Sequence, residues 1–221
     1  MSMQAALVRA ILEKHESYQW TVQGFGMLRT KIADIGRIHI WDSRLATPLV
    51  STMHTHPWPL KSTVISGELI NQRFNEHKAG SLKYMRAVIK CGEGGGLAGE
   101  PPTEVRLISM PPETYLAGST YEQRPNEIHR SIPQDGTVTL MERPQGMEDA
   151  MVYWPIGTQW VSAEPQPIEG WKLQQAVSYA LSRWDTASAE VQHSDACKIR
   201  NLARPSSCDS ECSPVQREVG K

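Results

Sequence analysis

The chain has 221 residues, 39% of them hydrophobic, and a formal net charge of -1 at pH 7. This length is enough to bury one sizeable core but is cramped for two domains. Nucleic acid is not an expected partner, because neutralising a phosphate backbone requires a surplus of Lys and Arg that this chain lacks.

Residues 1–17 are predicted to contain a short helix over 3–16, with Ser2 as its N-cap. Four apolar residues recur there at helical spacing: Leu7, Val8, Ile11 and Leu12. Charged side chains such as Arg9 and Lys14 interrupt the stretch, which therefore fits neither a signal peptide nor a membrane span. We expect a soluble, cytoplasmic protein with no membrane partner.

Residues 18–166 are predicted to form an antiparallel β-barrel. Short β-prone runs, such as GRIHIW and GTVTLMERP, alternate there with Gly, Pro and Asp. Many short strands at near-regular spacing favour an all-β barrel or sandwich over alternating βα units. The Gly-rich stretch 92–102 lacks the flanking strand and helix of a phosphate-binding loop, so we interpret it as a hinge or hairpin loop.

The C-terminal part is predicted to consist of a helix and a tail. Residues 167–184 place apolar side chains on one helical face, which should lie against the β core. Residues 185–221 are rich in Ser, Asp, Glu, Arg and Pro and have few aromatic residues. Such a segment cannot bury enough surface to offset its ordering entropy, so we expect a disordered tail.

The cysteines do not form the pattern of a disulfide framework, since three of the four lie in the last 25 residues. We expect reduced thiols. The tail offers four soft ligands that could close a tetrahedral zinc site: His193, Cys197, Cys208 and Cys212. Their spacing matches no common zinc finger and few apolar residues surround them, so free thiols are the favoured interpretation, and the role of these residues stays open.

The stretch HTHPWPLKSTVISG, residues 54–67, contains two histidines one residue apart. In a strand, His54 and His56 would point the same way with Cα atoms about 7 Å apart. Both imidazoles could then bind one ion at about 2.0–2.1 Å. His129, after the turn at Pro125, is the best third ligand. The alternatives are that the pair is exposed at a sheet edge, or that the barrel holds no metal.

These motifs resemble those of the cupin superfamily, a β-barrel (jelly roll) fold. The first cupin motif is His-x-His followed by Glu and Gly, and the second is a Pro-containing turn that leads to His. His54, His56 and Gly67 match the first motif, and Pro125 and His129 match the second, with the Pro-to-His spacing one residue shorter than usual. The resemblance implies a cupin-like barrel around one metal ion.

The chain departs from the cupin pattern at the motif glutamate, where Leu60 or Lys61 stands. Three neutral imidazoles without that carboxylate leave the full charge of a divalent ion and open coordination positions. We therefore expect an anionic, chelating small-molecule substrate. Imidazole suits Fe, Zn, Cu and Ni alike, so the ligand type alone does not select the metal.

Three histidines without the glutamate are similar to the thiol dioxygenase branch, which includes cysteine dioxygenase. That resemblance implies Fe(II) as cofactor and O2 as co-substrate in the oxidation of a thiol to a sulfinate. Arg29 stands near the position of the family's carboxylate-binding arginine, although a surface ion pair is the favoured interpretation of this residue. The family's tyrosine is missing, with Glu142 or Arg143 in its region, and Tyr121 is a candidate catalytic phenol from another direction.

Two other functions stay open on the same scaffold. Zn, Mn or Ni would make the protein a Lewis-acid isomerase or lyase. A non-catalytic module that binds a small molecule is the second. A homodimer is compatible with either.

Overall fold

The computed structural model describes residues 2–47, 50–90, 100–142, 149–159 and 165–202, with side chains up to Glu190. The chain divides into residues 1–185 and residues 186–221. Arg143, Cys208 and Cys212 lie outside the described residues, as does most of the Gly-rich stretch. The side chains of His193 and Cys197 are not described either. The predictions for these residues therefore stay predictions. Within the described part of the chain, no helix is long and apolar enough to cross a membrane.

The described residues form two helices, one short 3-10 helix and fourteen strands. In chain order they are α1 (Met3–Glu13), the 3-10 helix (His15–Ser17), β1 (Trp20–Gln23), β2 (Phe25–Ile32), β3 (Gly36–Ala46), β4 (Met53–His54), β5 (Leu60–Ser66), β6 (Glu68–Glu76), β7 (Leu82–Ile89), β8 (Thr103–Ser109), β9 (Glu113–Leu116), β10 (Thr120–Gln123), β11 (Ile128–Pro133), β12 (Val138–Glu142), β13 (Ala150–Pro155), β14 (Gln166–Pro167) and α2 (Gly170–Leu202). The predicted β-rich class is confirmed.

The strands form two antiparallel sheets of seven strands each. The first sheet has the order β10-β5-β12-β3-β2-β1-β14, and the second has the order β11-β4-β13-β7-β8-β6-β9. In the second sheet β6 also pairs with β11, so the strands from β11 to β6 close on themselves. Antiparallel pairing of neighbours joined by short turns is what the spacing of Gly, Pro and Asp predicts.

One face of the first sheet is covered by the two helices. Val8 and Leu12 of α1 and Val177 of α2 pack there against strand residues such as Leu28 and Ile40, and all five are buried. Ser2 caps α1 by accepting a hydrogen bond from the Ala5 amide at 3.1 Å. The helix ends at Glu13, earlier than predicted, because the 3-10 helix follows at once.

Helix α2 extends to Leu202, well beyond the predicted end near residue 184. Residues 185–202 are therefore helical, and the predicted disorder is wrong for them. Low hydrophobicity indicates that a segment buries little surface, but it does not exclude a helix. No Pro or Gly stands between Trp171 and Leu202, and Ala, Glu, Gln, Lys and Arg in this stretch favour a helix even where it buries little.

The opposite face of the first sheet meets the second sheet through a second group of buried residues, here called the inner cluster. Its members come from β2, β3, β5, β6, β10, β12 and the loop before β5. They are Met27, Trp41, Trp58, Leu60, Val64, Leu69, Tyr121 and Met141. Side chains alternate faces along a strand, so inward-pointing polar residues of both sheets also lie in this layer.

Candidate metal centre

Neighbouring strands of the second sheet hold two of the three predicted histidines. His54 of β4 lies directly opposite His129 of β11 in the antiparallel register. His56 follows β4 instead of lying in a strand, so the predicted strand alternation does not explain its direction. The His56 carbonyl accepts a hydrogen bond from the Asn126 amide at 2.6 Å, which ties this loop to the turn before β11.

The three imidazoles converge. Nε2 of His54 lies 3.1 Å from Nε2 of His56, and candidate ligand atoms of all three residues lie within 4.8 Å of one another. Two nitrogens that bind one ion at 2.0–2.1 Å are about 3.0–3.4 Å apart at angles near 90–110°. The His54–His56 pair therefore already has the separation of two metal ligands.

Hydrogen bonds hold the outer nitrogens of two of these rings. His54 Nδ1 lies 3.2 Å from the Thr52 carbonyl oxygen, and His129 Nδ1 lies 3.0 Å from Asn71 Oδ1. The Nε2 atom of His129 is buried and has no hydrogen-bond partner among the described residues. Since an orphaned buried nitrogen is costly, a metal ion at this point would satisfy it. The donor set thus fits a divalent ion.

The surroundings of His54 and His129 favour the neutral form of each ring. Burial lowers the pKa of His54, although the hydrogen bond with Thr52 opposes this effect. Burial also lowers the pKa of His129 well below its ordinary value, and His54, His56 and Arg73 lower it further. A metal ligand needs the unprotonated ring with a free lone pair, which is the form that these surroundings favour.

Aromatic rings border the three histidines. Phe25 stacks on His54 with ring centroids 6.2 Å apart, and the Trp58 ring lies 5.8 Å from that of His56.

Arg73 lies opposite His129 in the register. Its guanidinium nitrogens are 3.1 Å from a carboxylate oxygen of Glu113 and 3.4 Å from one of Glu127. Two carboxylates therefore form ion pairs with this guanidinium group.

Within the described ranges, no carboxylate joins the three histidines. Among the described residues, the group of potential metal ligands consists of His54, His56 and His129. Leu60 is buried in the inner cluster, and Lys61 forms an ion pair with Glu142 at 3.2 Å. Neither residue at the position of the motif glutamate is a ligand, so the set is three neutral nitrogens.

Tyr121 lies in the inner cluster near this group. Its hydroxyl is hydrogen bonded to Ser62 and Ser131, and Ser131 is two residues beyond His129 on β11. Burial raises the pKa of Tyr121 despite these two serines, so the phenol keeps its proton at neutral pH. Its catalytic role stays a prediction.

Arg29 lies on β2, half-buried and opposite His39 of β3. Its Nε donates a hydrogen bond to Thr21 Oγ1 at 3.3 Å. Arg29 alternates with Leu28 and so shares a strand face with Met27 of the inner cluster. Its role as a substrate clamp also stays a prediction. His39 itself is buried, with 7% of its surface exposed.

Sequence reasoning missed two amides. Asn71 of β6 is fully buried and contacts His129, and Gln123 of β10 reaches Asn71 with Nε2 3.4 Å from Oδ1. Neither belongs to a motif. The available signal was positional, since Asn71 is a polar residue two places from the apolar Leu69 on the same strand face.

One surface concavity lies away from the three histidines. It has a volume of about 750 Å³ and lies beside α1 and the start of β5, and none of the three histidines lines it.

Comparisons with family models, with curated proteins and with solved structures found no match for this chain.

Proposed function

We propose that this chain is a cupin-like metalloenzyme with a jelly-roll barrel. It would hold one divalent metal ion, Fe(II) in first place, on His54, His56 and His129, and act as a dioxygenase on a small anionic substrate such as a thiol acid. The observation that supports it most is the convergence of three imidazoles whose candidate ligand atoms lie within 4.8 Å of one another. The two antiparallel sheets and the two sequence motifs support the barrel.

Iron is preferred because of the ligand set. Three neutral nitrogens on one side leave positions for a chelating substrate and for O2, and open positions of this kind are typical of non-haem iron oxygenases. A bound Fe(II) ion would supply the redox chemistry, while the protein orients the substrate and excludes water. The uncompensated charge on the ion would favour an anionic substrate.

The surrounding side chains have separate roles in this proposal. Phe25 and Trp58 flank His54 and His56 and would limit the access of water to a bound ion. Arg29 would bind the substrate carboxylate through its guanidinium group. Tyr121 keeps its proton and would donate a hydrogen bond towards the substrate, as its raised pKa allows.

Metal analysis tests the proposal directly. The protein is purified without chelator as wild type, His56→Ala and His77→Ala, the last being a control at an exposed histidine. We expect about one metal ion per chain in the wild type and in the control, and a loss of the metal in His56→Ala. If no wild-type protein binds a metal, the proposal fails.

The reaction is tested by oxygen uptake with cysteine and simple mercapto acids. Iron-loaded wild-type protein should consume O2 and form a sulfinate. A redox-silent protein filled with zinc would favour the isomerase or lyase function instead. Tight binding of the thiol to the iron-loaded protein without turnover would favour a non-catalytic binding module.

A further inference from the structure

Asn71 connects the candidate metal centre to the rest of the fold. Its side chain is completely buried on β6, and its Oδ1 lies 3.0 Å from His129 Nδ1. A neutral imidazole has a single N–H, so a ring that donates from Nδ1 has its lone pair on Nε2. In this arrangement Asn71 determines which nitrogen of His129 is able to bind a metal.

We infer that Asn71 is a positioning residue of this site, which selects the His129 tautomer with a free Nε2 lone pair. The inference rests on the proposed function for what that lone pair binds. The tautomer, however, is a property of the metal-free protein and can be measured without any ion.

The comparison with His54 shows why a side chain matters here. The partner of His54 Nδ1 is the backbone carbonyl of Thr52, which can only accept, so the main chain determines that tautomer. The partner of His129 is an amide, which offers an acceptor on one side and a donor on the other. If the amide were reversed, Nδ2 would donate to Nδ1, and the ring proton would move to Nε2 and block a metal.

Gln123 supports the observed direction of the Asn71 amide. Its Nε2 lies 3.4 Å from Asn71 Oδ1, so two donors, His129 Nδ1 and Gln123 Nε2, meet the same oxygen. Reversal of Asn71 alone would place its NH2 group against that of Gln123. Because Gln123 belongs to β10 of the first sheet, it supports Asn71 from the opposite layer.

Reversal of both amides together is the competing arrangement. Asn71 Nδ2 and Gln123 Oε1 are buried without a hydrogen-bond partner among the described residues, and a joint reversal would bring these two groups together. His129 would then carry its proton on Nε2. The two arrangements therefore predict opposite tautomers, and one measurement separates them.

The first experiment measures that tautomer in the metal-free, full-length protein. Long-range proton–nitrogen NMR correlations distinguish the two imidazole tautomers, and the spectrum of His129→Gln assigns the signals. We expect the Nδ1–H form in the wild type and in Asn71→Asp, whose carboxylate also accepts. Asn71→Leu, which has no acceptor, should shift the ring towards the Nε2–H form. An Nε2–H ring in the wild type would overturn the inference.

The second experiment measures Zn²⁺ affinity by competition with a chromophoric chelator. Replacement of a residue that hydrogen-bonds to a metal ligand typically weakens metal binding about 10–100-fold, and we expect this for Asn71→Leu. Asn71→Asp should retain or increase the affinity. Asn75→Leu is the matched control, because Asn75 lies on the same strand, is exposed and contacts Met110 Sδ instead.

The outcomes separate the inference from the proposed function. If the tautomer follows Asn71 but the wild type binds no metal, the proposed function fails and the role of Asn71 in setting the ring stands. If Asn71→Leu changes neither the tautomer nor the Zn²⁺ affinity, the inference is wrong. Should Asn71→Leu not fold, the wild-type spectrum together with Asn71→Asp still decides the tautomer.

Discussion

His54 and His129 lie directly opposite each other in the register of β4 and β11, with imidazole centroids 4.7 Å apart. The pairing of these two strands therefore brings distant parts of the sequence to one point. A slip of one residue would turn either side chain to the other face of the sheet. The candidate site thus depends on the correct register of the second sheet.

We predict that Zn²⁺ stabilises the wild type but not His129→Ala. A ligand that binds only the folded state, at 100 times its dissociation constant, raises the free energy of unfolding by about 2.7 kcal/mol. Urea unfolding with and without Zn²⁺ measures this increment. His77→Ala, at an exposed position, should keep it. An equal increment in His129→Ala would show that the ion binds somewhere else.

The turn at Gly67, which follows His54 and His56 in the sequence, gives a second prediction. Its φ is +84°, and an added Cβ would lie 2.6 Å from Thr137 Oγ1 and 2.9 Å from Thr137 Cα. The free energy of unfolding of Gly67→Ala should therefore be lower by about 1–2 kcal/mol because of the left-handed backbone conformation. The clash with Thr137 should lower it by about 1–3 kcal/mol more. Chemical denaturation measures the sum.

Gly118 is the matched control for Gly67. Its φ is +89°, but an added Cβ meets nothing within 4 Å. Gly118→Ala should show the backbone cost alone, about 1–2 kcal/mol. If the two variants lose the same stability, the contact with Thr137 is not what requires glycine at position 67.

The sequence predicted the three histidines because each signal was local. The His-x-His pair and the turn at Pro125 can be recognised without knowledge of the sheet. Strand alternation does not explain the direction of His56, because this residue lies outside β4. Its loop is held instead by a hydrogen bond from the distant Asn126 amide. Tertiary pairing of this kind leaves no pattern in a short stretch.

Other features could not be predicted, for different physical reasons. Asn71 contacts His129 through one hydrogen bond, and many buried polar residues form such a bond, so the residue type alone indicates no role. The burial of His39 does not follow from the sequence, because strand alternation shows which residues share a face but not which face is buried. The length of α2 was misjudged because low hydrophobicity was used as a sign of disorder, although the stretch has good helix formers and no breaker.

The packing of α1 on the first sheet gives a third prediction. Leu12 is completely buried among residues of both helices and the sheet, whereas Leu7 is 38% exposed. Leu12→Ala should lower the free energy of unfolding by about 2–5 kcal/mol, because it leaves a cavity. Leu7→Ala removes a side chain of the same helix that is largely exposed. It should lower the free energy of unfolding by less than about 1 kcal/mol. Equal costs would mean that α1 does not pack as described.

Tyr121 gives a prediction that separates catalysis from structure. Tyr121→Phe removes the hydroxyl that is hydrogen bonded to Ser62 and Ser131. The free energy of unfolding should fall by about 1–3 kcal/mol, because the buried Ser62 loses a hydrogen-bond partner. If the phenol also contacts substrate, kcat for thiol oxidation falls while Zn²⁺ affinity stays unchanged.

The control for Tyr121 is its neighbour Tyr115, whose ring centroid lies 4.8 Å away. Its hydroxyl donates to Glu113 Oε2 at 2.6 Å, and the side chain is half-buried. Tyr115→Phe should leave kcat unchanged and cost less than about 1 kcal/mol. If Tyr121→Phe lowers stability but not kcat, its role is structural only.

His39 predicts how stability depends on pH. Burial, with help from Arg37 and Arg29, lowers the pKa of His39 to about 3 from an ordinary value of 6.5. Between these two values the unfolded chain binds a proton that the folded protein does not. Stability from this residue is therefore fully present above about pH 6.5 and falls by about 1.4 kcal/mol per unit as the pH decreases.

The measurement compares urea unfolding of the metal-free protein at pH 7.5 and pH 5. His39→Gln has no titrating ring at this position, so its loss of stability over this interval should be about 2 kcal/mol smaller than that of the wild type. Thr139→Val is the control, because Thr139 Oγ1 lies 3.3 Å from His39 Nδ1 and its replacement leaves the ring in place. We expect Thr139→Val to be less stable at both pH values but to keep the pH dependence of the wild type. If His39→Gln keeps that dependence as well, His39 is not buried in the neutral form.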